Sequence, residues 1–270
     1  MPLSNDREIV IEGLHKAFDG RSVLKGVDLT VRRGEIVAIV GGSGCGKTVL
    51  LQHIFGHHQP DSGRVLVADH ESPGSPLRDL ATLDEDAMDR IRVHWAIVFQ
   101  RNALLSGTVF HNLALWPREI HEWDDARIMP LARKALEAVG LDPDAVMQRD
   151  REELSGGMAK RVAIARAIVM DPVLVLYDEP TAGLDPEMSR QVHELIWQTH
   201  KRTPGLGVKR TTLVVTHDTG LLRALRPRVV MLHDGRVRFD GDFAHFLASD
   251  DPHIKPYLEQ MAFLHEQKRV

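Results

Sequence analysis

The chain has 270 residues, of which 43% are hydrophobic and 27% are charged, a balance typical of a globular protein with a substantial core. Lys and Arg total 34 against 38 for Asp and Glu, and this formal charge of −4 argues against a general nucleic-acid binder, because no basic excess is available to neutralise phosphates. The first residues lack an apolar signal segment, no apolar run is long enough to span a bilayer, and the single cysteine, Cys45, excludes an internal disulfide, so we expect a cytoplasmic protein.

Alternating apolar residues predict two half-buried strands near the N-terminus, over residues 9–11 and 27–31. Phe18 lies in the loop between them. It is either a core residue that closes a hairpin or an aromatic ring that stacks on a base, and spacing alone leaves both interpretations open. Five consecutive apolar residues, 36–40, then predict a buried parallel strand.

A glycine-rich turn follows this strand, and residues 41–48 fit the pattern G-x-x-x-x-G-K-[ST]. The glycines allow backbone conformations in which N–H groups converge on a phosphate, Lys47 supplies a positive charge, and the Thr48 hydroxyl is a suitable ligand for Mg²⁺. The pattern predicts nucleotide binding but no particular activity, since GTPases, kinases and helicases share it. The predicted nucleotide contacts are Gly41, Gly42, Ser43, Gly44, Cys45, Gly46, Lys47, Thr48 and Val49.

The next part of the chain predicts a strand over residues 63–67, a polar surface helix within residues 72–89, and a short strand over residues 96–99 that ends at Gln100. From residue 101 to about 153 the apolar spacing becomes helical, and Gly140 with Pro143 ends the clearest helix. This stretch is the candidate inserted lobe.

A further helix opens after Ser155, a natural N-cap, and a buried strand over residues 173–177 ends in Asp178 and Glu179. Burying two acidic side chains at the end of a strand costs free energy unless they have a function. Beside a phosphate loop, the expected function is to bind Mg²⁺ and position water. The pattern continues with a helix over residues 186–200, a strand over 213–215 that leads to His217, a hairpin over 229–239 and an amphipathic tail after Gly241.

Taken together, these motifs resemble the nucleotide-binding subunit of ABC transporters over roughly residues 9–241. Residues 41–48 match the Walker A loop, Gln100 the Q-loop, residues 154–158 the LSGGQ signature with Met158 in place of Gln, residues 173–179 Walker B with the catalytic glutamate, residues 182–185 the D-loop, and His217 the switch histidine.

The resemblance implies an α/β fold of the P-loop NTPase (RecA-like) type, with an antiparallel β-subdomain and an inserted α-helical subdomain. The expected division is a core over residues 1–100 and 172–241, a helical subdomain over 101–171, and a tail over 242–270. It further implies a homodimer in which Ser155, Gly156 and Gly157 of one copy hold the γ-phosphate of an ATP bound at Lys47 of the other. No nucleic-acid partner is expected.

Roles for single residues follow from the same resemblance. Glu179 would polarise the attacking water, Asp178 would hold Mg²⁺ through water, and His217 would contact the γ-phosphate. Gln100 would link Mg²⁺ and the water to the helical subdomain, and Phe18 would stack on adenine. Asp185 would take part in the dimer, and this role is compatible with the capping of the next helix that its place before Pro186 predicts.

Residues 100–119 and the sequence Leu-Ser-Gly-Gly-Met-Ala-Lys-Arg are similar to those of the MlaF-like, Mla/Mce-type lipid-transport ATPases. This implies phospholipid transport between inner and outer membranes and a permease docked in a groove lined by some of Leu104, Leu105, Val109, Phe110 and Leu113, unless these residues are only core of the lobe. The alternatives are an ABC ATPase for another cargo, such as a small-solute importer, or a non-transport ABC ATPase that regulates a membrane partner in cell-wall remodelling. A P-loop kinase or GTPase is disfavoured by Ser155-Gly156-Gly157 and by the lack of an Asn-Lys-x-Asp segment.

Overall fold

The structure is a computed structural model, and it describes residues 6–100 and 103–259. Arg101 and Asn102 of the lobe, the first five residues and the end of the tail therefore lie outside the described residues.

Within these ranges the strands are β1 (Arg7–Phe18), β2 (Arg21–Arg32), β3 (Ile36–Val40), β4 (Ser62–Ala68), β5 (Leu77–Asp79), β6 (Trp95–Val98), β7 (Leu174–Asp178), β8 (Thr211–Val215), β9 (Arg228–His233) and β10 (Arg236–Asp242). The α-helices are α1 (Lys47–Ile54), α2 (Glu85–Arg92), α3 (Val109–His121), α4 (Asp125–Ala138), α5 (Pro143–Val146), α6 (Gly156–Ile168), α7 (Pro186–Lys201), α8 (Thr219–Leu225) and α9 (Phe243–Leu247).

Two sheets organise these elements. A four-stranded antiparallel sheet has the order β2-β1-β4-β5, and a six-stranded sheet has the order β10-β9-β3-β8-β7-β6, in which only the β10–β9 pair is antiparallel. The central strands β3, β7 and β8 are almost entirely buried, as expected for parallel strands covered on both faces. Because β3, β8 and β7 are parallel neighbours, their carboxyl ends lie at one edge of the sheet.

The side chains of β7 show how the two faces are covered. Leu174 and Leu176 join a core shared with α1, α2 and the antiparallel sheet, whereas Val175 and Tyr177 join a core shared with α3, α4 and α6. The phosphate-loop helix and the helical region between β6 and β7 therefore pack on opposite faces of the same sheet.

The predicted α/β fold, with a mostly parallel core, a separate antiparallel sheet and a helical region between β6 and β7, is confirmed. The numerical boundaries proposed for its three parts stay a prediction. Among the described residues, no helix combines the length and apolarity that crossing a bilayer requires.

The predicted helix within residues 72–89 is wrong in its first half. Asp69 accepts hydrogen bonds from the Glu71 and Ser72 backbone N–H groups and the Ser72 hydroxyl, which closes a turn. After this turn the chain runs as β5 along β4, and helix begins only at α2, where Asp84 accepts a hydrogen bond from the Ala87 N–H. Local side-chain hydrogen bonds of this kind compete with helix formation.

The segment after β10 packs on its own subunit as far as the structure describes it. Phe243, Phe246, Ile254 and Tyr257 are buried against β3 and β9 residues such as Val40. The amphipathic character noted in the sequence therefore reflects a third part of the core.

Candidate functional site

The predicted phosphate loop connects β3 to α1, and two of its glycines are required by contact as well as by backbone conformation. Gly41 has φ +146°, and a Cβ there would lie 2.3 Å from the Leu232 carbonyl oxygen. Gly46 has φ +106°, and a Cβ there would lie 2.8 Å from a methyl of Leu24. Gly46 is the N-cap of α1 and carries no side-chain cap, so the N–H groups of the first turn point toward the loop.

Lys47 closes this loop. Its ammonium donates to the carbonyl oxygens of Gly41 at 2.8 Å and Gly42 at 2.9 Å, which places the positive charge over the loop. Gly42, Ser43, Gly44 and Thr48 are exposed around it, while Cys45 and Val49 are half-buried. A polyphosphate needs hydrogen-bond donors and positive charge. The backbone N–H groups of the exposed loop supply the donors and Lys47 supplies the charge, so the residues present fit the predicted nucleotide.

Asp178 lies at the end of β7, paired in register with Val215 of β8, which is itself next to Ile39 of β3. Burial raises the pKa of its carboxyl, the adjacent Glu179 raises it further, and Lys47 and Lys160 oppose the shift. The Asp178 carboxylate is half-buried, and it lies close enough to Lys47 for the lysine charge to affect its pKa. Its oxygens and the Thr48 hydroxyl form an all-oxygen donor set, which suits Mg²⁺.

Glu179 and His217, predicted separately from the ends of two strands, are brought together. His217 Nδ1 lies 2.8 Å from a Glu179 carboxylate oxygen. Glu179 has φ +46°, a conformation that costs energy for a residue with a side chain, and its N–H donates to the Val215 carbonyl at 2.9 Å. The left-handed turn directs the carboxylate to the β8 edge, where an acid–histidine pair can orient and polarise a water molecule.

The loop that carries His217 is anchored by residues that the sequence reasoning missed. Asp218 caps α8 through the N–H groups of Gly220 and Leu221, and it also accepts hydrogen bonds from the Thr181 hydroxyl at 2.7 Å and from His193 at 2.8 Å. Burial opposes ionisation of Asp218, but these hydrogen bonds outweigh it and hold the pKa far below its ordinary value. An aspartate directly before a helix is an N-cap signal that could have identified this residue.

Gln100 is exposed just beyond β6, at the same edge of the sheet. A second residue that the sequence reasoning missed, Lys160 of α6, donates to the Phe99 carbonyl at 3.1 Å and to the Gln100 carbonyl at 3.3 Å. No sequence signal identifies it, because a lysine in an amphipathic helix is normally solvated.

The predicted signature residues lie at the start of α6. Ser155 is the N-cap and accepts from the Met158 N–H at 3.3 Å, and it is exposed together with Gly156. Gly157 packs so closely on the Met188 side chain of α7 that a Cβ would require Met188 to move.

Asp185 caps α7 through the Met188 N–H at 2.8 Å, so its predicted capping role is present in the structure. Within one chain, the helix that begins at Lys47 and the helix that begins after Ser155 pack into different core clusters, on opposite faces of the sheet.

Phe18 lies at the end of β1 with 37% of its surface exposed, so it is not a core residue. Its ring makes an edge contact with His58 at 5.3 Å between centroids, and the Lys16 ammonium lies 5.5 Å from its centre. The ring therefore remains available for the predicted stacking.

Of the five residues from which a groove for a membrane partner was predicted, four agree with the alternative interpretation, that they are core of the lobe. Leu104, Val109, Phe110 and Leu113 are buried in the helical core, and only Leu105, 42% exposed, remains on the surface. Helical periodicity cannot distinguish a docking face from a core face.

Comparison with known proteins agrees with this geometry. Residues 24–182, more than half of the chain, match the family described as ABC transporter. The chain belongs to the ABC transporter family. It is an ATPase with the ABC cassette fold, and the predicted fold class and enzymatic activity are thereby confirmed.

The histidine transport ATP-binding protein HisP of Pseudomonas aeruginosa is 35% identical over 86% of this chain and 89% of that protein. The Arabidopsis thaliana protein trigalactosyldiacylglycerol 3, chloroplastic, is 33% identical over 94% of this chain and 75% of that protein. Other relatives are named for transport or import of cystine, spermidine and putrescine, methionine and nickel.

A solved dimeric structure of the ATP-binding cassette MJ0796, in a post-hydrolysis state with ADP and Pi, has a TM-score of 0.72 and 28% identity over 87% of this chain and 98% of that one. ABC ATPases bind ATP, normally with Mg²⁺.

Proposed function

We propose that the chain is the ATP-hydrolysing subunit of a membrane transporter and works as a homodimer on the inner face of the cytoplasmic membrane. The observation that carries this proposal is the separation of two phosphate-directed surfaces. Lys47 and its loop lie on one face of the sheet, while the exposed Ser155 and Gly156 begin a helix that packs on the other face. A site that needs both is completed by a second copy, and the dimeric relative supports this arrangement.

In the proposed reaction, Lys47 and the loop N–H groups bind the β- and γ-phosphates, and Glu179 holds the attacking water with help from His217. Thr48, Asp178 and Gln100 would hold Mg²⁺, which neutralises the charge that develops on the phosphate oxygens. The carboxylate of Glu179 accepts a proton from the water as the new bond from the water oxygen to the γ-phosphorus forms and the bond from that phosphorus to the β,γ-bridging oxygen breaks, which releases ADP and inorganic phosphate. Ser155 and Gly157 of the partner copy would hold the γ-phosphate from the opposite side, Asp185 would lie across the interface, and Phe18 would stack on adenine.

The cargo that the relatives favour is a small solute taken into the cell, because most of their names refer to transport of amino acids, polyamines or metal ions. Phospholipid transport between two membranes is the second candidate. It is supported by the similarity of residues 100–119 and of the Leu-Ser-Gly-Gly-Met signature to the MlaF-like ATPases, and by a relative named after a diacylglycerol lipid that covers 94% of this chain.

For the permease contact, we infer a surface that includes the exposed apolar side chains of Phe99, Leu105 and Trp116. Phe99 and Leu105 lie before and after Gln100 in the loop that follows β6, and Trp116 lies in α3, the next helix, so a partner there would contact the part of the chain that reaches the catalytic edge.

The dimer is tested with Cys45, the only cysteine of the chain. In the variant Ser155→Cys with Glu179→Gln, a bifunctional thiol crosslinker long enough to span a triphosphate should join two copies, in the presence of ATP and Mg²⁺, through Cys45 of one and the new thiol of the other. Without nucleotide, or with Cys45→Ser, the yield should fall to background. Equal crosslinking with and without ATP would contradict the sandwich arrangement.

The cargo is tested by reconstituting the chain with its co-purifying membrane protein in phospholipid vesicles. Under the first proposal, ATP hydrolysis is stimulated by amino acids or polyamines and solute accumulates. Under the second, solutes have no effect and a labelled phospholipid moves to acceptor vesicles in an ATP-dependent way.

A further inference from the structure

In the described part of the loop after β6, five backbone carbonyl groups accept hydrogen bonds from side chains of the helical region. The carbonyl oxygens of Phe99 and Gln100 accept from Lys160, that of Ala103 from Arg166 at 2.9 Å, that of Leu104 from Arg151 at 2.7 Å, and that of Leu105 from Asn112 at 3.0 Å. These hydrogen bonds tie the described part of this loop to the helical region, although the loop begins at a strand of the core sheet.

Lys160 differs from the other three donors because it holds the part of the loop that contains Gln100. Its side chain is 2% exposed, and a buried ammonium is costly unless it has hydrogen-bond partners or a nearby opposite charge. The two carbonyls supply the partners. Burial lowers the pKa of Lys160 to about 8, and Asp178 opposes the shift, so the ammonium also lies within electrostatic reach of the β7 carboxylate.

The same helix presents the signature residues at its start. Lys160 is five residues after Ser155 on one continuous α-helix, which corresponds to a distance along the axis of about 7.5 Å. A helical segment of this length moves as a rigid unit. A displacement of Ser155 and Gly156 therefore reaches the Lys160 ammonium, and through it the backbone of Gln100.

We propose that Lys160 is the positioning residue that ties Gln100 to the signature helix, so that engagement of Ser155 and Gly157 with the partner's nucleotide sets the place of Gln100 at the catalytic edge. This inference rests on the role given above to Gln100 in holding Mg²⁺ and water. Lys160 touches neither nucleotide nor metal, and its effect passes through the carbonyls at 99 and 100.

The test compares Lys160→Met, Lys160→Arg and, as a matched control, Lys134→Met on the exposed surface of α4. Methionine keeps the length of the side chain but removes its donors, whereas arginine keeps the charge and the donors. We expect Lys160→Met to lower kcat about 10-fold and raise the Mg²⁺ concentration for half-maximal hydrolysis several-fold, with the Kd of a fluorescent ATP analogue changed less than about 2-fold. Lys160→Arg should recover most of the loss, and Lys134→Met should match the wild type.

A readout independent of activity is amide hydrogen exchange in the nucleotide-free protein. Lys160→Met should speed exchange in the peptide that covers β6 and Gln100 and leave α1 unchanged. Exchange that rises equally throughout α6 and the helical core would show that Lys160 only stabilises packing, and would overturn the proposal.

A double-mutant cycle with Gln100→Ala separates this inference from the function on which it rests. If Lys160 acts through Gln100, adding Lys160→Met to Gln100→Ala lowers kcat no further. If the two losses multiply, Lys160 acts by another route and the inference fails. If Gln100→Ala alone leaves kcat and Mg²⁺ dependence unchanged, it is the proposed role of Gln100 that fails.

Discussion

Two helices of this protein begin in glycine-rich sequence, and their environments differ. The start of α1 is enclosed, because Cβ atoms at Gly41 and Gly46 would contact Leu232 and Leu24, and Lys47 closes over the loop. The start of α6 is exposed, Ser155 caps it, and a Cβ at Gly156 would meet nothing within 4 Å. At α1, Gly41 and Gly46 are both required by contacts within the chain, whereas at α6 Gly156 faces open space and only Gly157 packs on its own subunit, against Met188.

The prediction with the largest expected effect tests whether the start of α1 in one copy and the start of α6 in the other meet at one nucleotide. Glu179→Gln removes the carboxylate that pairs with His217 and should lower ATP turnover by about 100-fold or more. Nucleotide affinity should remain, so that ATP with Mg²⁺ traps a dimer seen as a mass shift in size-exclusion chromatography with light scattering. If Glu179→Gln retains wild-type turnover, Glu179 is not the catalytic base, and if no dimer forms, the two surfaces do not share a nucleotide.

A matched pair of substitutions compares the helix starts directly. Gly41 has φ +146°, and in Gly41→Ala the new Cβ would lie 2.3 Å from the Leu232 carbonyl oxygen. This substitution should therefore lower the free energy of unfolding by about 2 kcal/mol and abolish ATP-analogue binding by the monomer. Gly156→Ala should leave the melting temperature and monomer binding unchanged but prevent the ATP-dependent dimer. The comparison fails if Gly156→Ala destabilises the monomer as much as Gly41→Ala does.

Ser155 combines a capping role with a proposed role at the interface, and two variants separate them. Ser155→Ala removes the cap and should cost about 1 kcal/mol of stability. Ser155→Asp keeps a good cap but places a negative charge where a phosphate would approach, so the melting temperature should be retained while ATP-dependent dimerisation is lost. Thermal unfolding and light scattering on both variants check this, and a dimer formed by Ser155→Asp would remove Ser155 from the interface.

The last prediction concerns stability alone, at a helix start whose cap has no proposed contact with nucleotide. Asp218 caps α8 and binds Thr181 and His193, and Asp218→Asn should cost about 2 kcal/mol of unfolding free energy at neutral pH. Because folding lowers the pKa of Asp218, its contribution is fully present above the ordinary value of 3.8 and is lost as the pH falls toward the folded pKa. Urea unfolding of the wild type and of Asp218→Asn, at neutral pH and below pH 3.8, measures this. The difference in unfolding free energy between the two proteins should be smaller at the lower pH, and an unchanged difference would mean that the charge of Asp218 does not stabilise the fold.

The sequence by itself determined the chemistry of the phosphate loop and the positions along the chain of most of the strands that surround it. A strand of five apolar residues, glycines at fixed spacing and a following Lys-Thr pair specify local backbone geometry, and local geometry is encoded by neighbouring residues. The helix N-caps at Ser155 and Asp185 could be predicted from the sequence for the same reason. Glu179 and His217 were each predicted as site residues, but only the parallel register of β7 and β8 places them 2.8 Å apart.

Only the tertiary structure decided which apolar faces are core, and where a lysine without a motif points. Leu104, Val109, Phe110 and Leu113 have the spacing of either a groove or an interior, and burial resolved the choice because both obey the same helical period. Lys160 would be a surface residue by composition, yet packing of α6 against β6 turns its ammonium onto the carbonyls of Phe99 and Gln100. Contacts between residues 60 positions apart depend on how elements pack, and no local pattern in the chain specifies that packing.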